Sequence, residues 1–98
     1  MNPDAIINVR FRTTDEGGRS GPVLGDSYSC PLFVDGEGFD CRILLGSQRI
    51  ELGQWYKLPV KFLRPDMAIP MLLIGKPITL WEMKDVADGE ILELVSNL

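Results

Sequence analysis

Cys30 and Cys41 are the only cysteines in this chain of 98 residues, and it contains no histidine. Two thiols without an imidazole fall short of a four-ligand zinc site, and Ser–His or Cys–His nucleophile pairs are excluded. Asp85, Asp88 and Glu90 are close enough in sequence for paired-carboxylate acid–base work. Acidic residues in a Gly-containing segment read more simply as solvated turn formers. Gly75-Lys76-Pro77 lacks the spacing and the hydroxyl of a phosphate-binding loop, so no nucleotide site is expected. The chain therefore reads as a non-enzyme with no catalytic residue, no metal site and no cofactor.

Binding remains. Gly17-Gly18-Arg19, with Arg10 and Arg12 just before it, is the only cationic grouping that could follow a phosphate backbone. The plainer reading makes Arg10 and Arg12 the solvated face of a strand, gives Gly17-Gly18 to a tight turn, and pairs Arg19 with Asp15 or Glu16. The charge is lopsided. Residues 1–64 sum to zero, and residues 65–98 carry the whole formal charge of −4. That acidic balance disfavours RNA. Met67-Ala68-Ile69-Pro70-Met71-Leu72-Leu73-Ile74 is the most apolar run and is either core or a protein interface. Met67, Ile69, Met71 and Leu72 are its candidate contacts, since methionine suits adaptable surfaces and irregular cores alike. Trp55 and Trp81 read as core or rim residues before they read as ligand platforms.

The elements that must carry these residues are short strands. Ile7, Val9 and Phe11 alternate with Asn8, Arg10 and Arg12 over about residues 6–13, the period of a half-buried strand. A long loop follows over 14–27. Tyr28–Val34 and Phe39–Leu45 read as strands joined by a turn at Asp35–Gly38, which places Leu32 opposite Cys41 and Cys30 opposite Ile43. The two sulfurs then share a face but are offset, an arrangement for buried thiols rather than a disulfide. Pro31 points its strand to an edge or bulge. Further strands are expected at 55–63, 77–83 and 90–95, with a turn or bulge at Asp85–Gly89. Ten Gly and seven Pro between apolar runs fit many short strands and turns. The length suits one domain over 1–98. No membrane-spanning run and no signal peptide is apparent, which makes the cytoplasm the expected location.

In strand order, the chain resembles the C-terminal (third) β-barrel domain of elongation factor Tu. The likeness rests on Val9–Phe11 followed by Thr14-Asp15-Glu16-Gly17-Gly18-Arg19 and Pro22. It continues in Gly53 with Leu58-Pro59-Val60-Lys61-Phe62-Leu63-Arg64-Pro65, in Ile78-Thr79-Leu80-Trp81-Glu82, and in Val86-Ala87-Asp88-Gly89-Glu90-Ile91. The resemblance implies an all-β fold, a six-stranded antiparallel Greek-key β-barrel. It also implies a stand-alone module that binds a protein partner, either translation-related or a toxin held by an immunity-type inhibitor. The alternative is an RNA-binding accessory domain that uses Gly17, Gly18 and Arg19, the loop that lies near tRNA in that family.

Overall fold

The computed structural model describes residues 2–95. Six strands carry the alternation read from the sequence: β1 (Ala5–Phe11), β2 (Ser27–Val34), β3 (Glu37–Leu44), β4 (Trp55–Phe62), β5 (Pro77–Trp81) and β6 (Asp85–Leu94). Every neighbouring pair is antiparallel, and the sheet closes on itself in the order β1-β4-β3-β2-β5-β6. β2, β3 and β4 form a meander, and β5 then crosses back to lie beside β2, the connection of a Greek key. Closure removes the sheet edges that would otherwise present unpaired peptide groups.

One side chain in two points into the barrel. Ile7, Val9 and Phe11 of β1 meet Leu32, Ile43, Leu58 and Leu80 there, all fully buried. Connecting segments close the interior: Val23 and Ile50 form an isolated antiparallel bridge and are both buried. Pro31 and Pro59 each lie one residue beyond the last pair on one side of their strand. β2 pairs with β5 only from Leu32, and β3–β4 pairing ends at Val60. A residue without an N–H costs no ladder bond on that unpaired side.

The structure corrects one sequence expectation and narrows two others. The β2–β3 connection is a two-residue turn, Asp35-Gly36, with φ of 51° and 79°. Two positive φ values are the type I′ pattern that suits the twist of a hairpin. Glu37 and Gly38 therefore belong to β3, the register moves by two residues, and Cys30 stands directly opposite Cys41.

Of the turn or bulge expected at Asp85–Gly89, the structure has the bulge: those residues open β6, and the register shifts between the Leu80–Ala87 and Trp81–Asp85 pairs. The reversal lies at Glu82–Lys84, where Met83 takes φ of 63° and the Glu82 N–H donates to the Lys84 carbonyl at 2.7 Å.

Finally, the apolar run 67–74, expected as core or interface, is built on helical turns. Pro65 starts a single helical turn, α1 (Pro65–Ala68), and a 3-10 turn covers Ile69–Met71. Proline is tolerated at such starts because the first N–H groups of a helix have no internal acceptor.

Candidate functional site

The loop after β1 begins with a reciprocal cap. The Glu16 N–H donates to the Thr13 hydroxyl at 3.3 Å, and the Glu16 carboxylate accepts from the Thr13 N–H at 2.8 Å. Gly17 then takes φ of 86°, a left-handed conformation that glycine adopts without a Cβ penalty. Gly18 is constrained differently. It is buried, and a Cβ there would stand 2.1 Å from the Arg12 carbonyl oxygen. The two glycines thus serve the backbone: one turns it, the other lets it pass against Arg12 and Thr13, just after β1.

Each of the three candidate arginines is held by a carboxylate. Arg10 lies 3.0 Å from Glu16. The Thr13 N–H and then Arg10 hold the Glu16 carboxyl down at about 2. Arg12 grips Asp88 with two parallel bonds of 2.7 Å, which raises the guanidinium pKa and lowers that of the carboxyl. Bidentate geometry is the strong form of this pair.

Arg19 does not pair with Asp15 or Glu16. It crosses to Glu82 at 2.6 Å and lies 5.3 Å above the centre of the Tyr28 ring. The Tyr28 hydroxyl donates to the same carboxylate. Burial first, then that bond to Glu82, pushes the phenol pKa upward, while Tyr28 and Arg19 lower that of Glu82. Arg19, Tyr28 and Glu82 together fasten the 14–26 loop to the β5–β6 turn. A phosphate backbone reaching these arginines would have to displace three internal carboxylates.

The second set of candidates divides. Leu72 is only 2% exposed and belongs to the core, so it is not an interface residue, and Ala68 is buried with it. Ile69 and Met71 are half-buried. Met67 stands out at 57% exposure, with Leu73 at 61%, Ile74 at 70% and Leu63 at 73%. The exposed apolar side chains of this region are thus Leu63, Leu73 and Ile74 as well as Met67, one of the residues singled out from the sequence. The helical turns bury Ala68 and leave Met67 outward, and Leu73 and Ile74 lie just past them.

Trp55 and Trp81 both lie outside the core. Trp81 lines a groove of about 580 Å³ on the outer face of β2, β5 and β6. Sequence reading missed this groove, although the opposition of Thr79 and Trp81 to Ile78 and Leu80 already placed them on the outer face. A second cavity, of about 500 Å³, runs past Cys30, Pro31, Cys41 and Phe62. Both thiols are free and buried, and the Cys41 thiol donates to the Cys30 carbonyl at 3.2 Å. Among the described residues no three His, Cys, Asp or Glu side chains are grouped to hold a metal.

Fold and surface together define a closed antiparallel barrel with a clamped loop, an apolar face and an aromatic groove. No protein-family model matches the chain, and no curated protein gives a significant match.

Proposed function

We propose that this barrel is a non-enzymatic binding module for a protein partner, in the manner of a stand-alone elongation factor Tu C-terminal domain. One observation carries the reading. The exposed apolar side chains Leu63, Met67, Leu73 and Ile74 remain available, whereas Arg10, Arg12 and Arg19 are engaged by carboxylates. Exposed apolar area of this kind marks interaction surfaces. A translation component or a basic toxin held by an immunity-type inhibitor fits the acidic C-terminal third. RNA binding through Gly17, Gly18 and Arg19 is the weaker alternative, because the loop's only arginine already has a carboxylate partner.

The test is affinity capture from native lysate, divided into RNase-treated and untreated halves, with bound protein and RNA identified. The expected result is one protein retained after RNase treatment and lost with the double variant Met67→Asp/Ile74→Asp. Loss of every partner on RNase treatment, with tRNA in the untreated half, overturns the reading in favour of the RNA alternative.

A further inference from the structure

The outer groove on β2, β5 and β6 has a more specific chemistry than the apolar face. Phe33 and Trp81 bring their rings to 6.4 Å between centroids at 59°. Phe33 is fixed because it lies across Gly38, where even a Cβ would come within 2.7 Å of its ring. Thr79 separates Phe33 from Asp88 in one cross-strand row, and Trp81 pairs with Asp85. Asp35 stands on the rim at the β2–β3 turn.

The three carboxylates are not equivalent. Asp35 is bridged by Lys76, and Asp88 by Arg12. Among the described residues the Asp85 carboxylate accepts no hydrogen bond; Arg12 donates to its backbone carbonyl at 3.5 Å and feels the carboxylate's charge without bonding to it. The groove thus offers an indole face, a second ring and, beside them, one carboxylate that accepts no hydrogen bond.

A planar cation satisfies both features at once. A guanidinium stacks on an aromatic face and donates two parallel bonds to a carboxylate. A phosphate or an acidic peptide meets repulsion from Asp85 instead.

We propose that this groove receives an arginine side chain from a basic segment of the partner protein, stacked on Trp81 and hydrogen-bonded to Asp85. The inference rests on the reading of the barrel as a protein-binding module. Placement supports it as well: the same hairpin tip borders both surfaces. Asp35 and Gly36 line the groove, while Gly38 and Phe39 line a small cavity beside Met67. One partner can therefore cover the apolar face and insert a side chain into the groove.

The probe is a hexa-arginine peptide, titrated against the full chain carrying Trp55→Phe, so that fluorescence reports Trp81 alone. Hexalysine and hexaglutamate serve as comparisons. The expected result is a saturable change with hexa-arginine, weakened about tenfold by Asp85→Asn, the size of one charge-assisted hydrogen bond. Hexalysine should bind less tightly and hexaglutamate should give no change. Equal binding of arginine and lysine peptides, or an undiminished response in Asp85→Asn, overturns the assignment.

Capture from lysate separates the two readings. A partner retained equally by the parent and by Trp81→Ala overturns the groove and leaves the module standing. A barrel that captures RNA alone overturns the module, whatever the peptide does.

Discussion

At the residue scale, each candidate cation has a carboxylate within reach, and Glu16 makes the consequence measurable. Its carboxylate accepts the Thr13 N–H and faces Arg10, and both interactions favour the ionised form. The folded pKa, about 2, lies below the ordinary value of 4.5. A depressed folded pKa means that the cap contributes above about pH 4.5 and loses its contribution as the pH falls toward 2. The Thr13 amide resonance is expected to stay constant from about pH 7 to 5 and to shift only with a midpoint near 2. Glu16→Gln should abolish that transition while the barrel stays folded. A midpoint at the ordinary carboxylate value would sink the account of the cap.

At the element scale, the turns decide what the strands alone leave open. Apolar alternation placed β1 to β4 to within a residue or two, because one face of each is dry and a slip would turn every side chain over. It did not settle the β2–β3 register, since a two-residue and a four-residue turn both keep Cys30 and Cys41 on the inner face. At Asp85–Gly89 the sequence left a turn or a bulge open, and the structure has the bulge. Asp85, Asp88 and Gly89 have turn chemistry, but Asp88 serves Arg12 and Gly89 lies where a Cβ would be 2.2 Å from the Asn8 carbonyl. The true turn uses Met83, a residue that seldom takes positive φ. The arginines were legible as candidates but their partners were not, because Arg12–Asp88 and Arg19–Glu82 are separated by 76 and 63 positions.

The corrected register carries its own prediction. With Cys41 hydrogen-bonded to Cys30 and buried, its pKa is pushed upward and the reactive thiolate is suppressed. Iodoacetamide is expected to label both thiols at least about an order of magnitude more slowly in the folded barrel than in denaturant. Rapid native labelling at neutral pH would contradict the packed cross-strand pair.

At the scale of the whole molecule, charge and apolar area are distributed so that they govern different steps of association. The negative excess lies in residues 65–98, with Asp85 and Asp88 lining the groove, whereas Leu63, Met67, Leu73 and Ile74 are exposed apolar side chains and the proposed contact residues. Long-range attraction acts before contact and is screened by salt, so it sets the association rate. Buried apolar area acts after contact and sets the dissociation rate. For the captured protein partner, raising salt from about 50 to 500 mM is expected to slow association about tenfold or more and to leave dissociation nearly unchanged. Ile74→Asp should do the reverse, accelerating dissociation with little effect on association. An RNA ligand would behave differently, because each phosphate contact releases a counterion and equilibrium affinity falls as a power of the salt concentration. Surface-plasmon measurements of the two rates across a salt series therefore discriminate the readings. If dissociation rises steeply with salt while Ile74→Asp has no effect, the complex is held by charge, and the apolar face is not the interface.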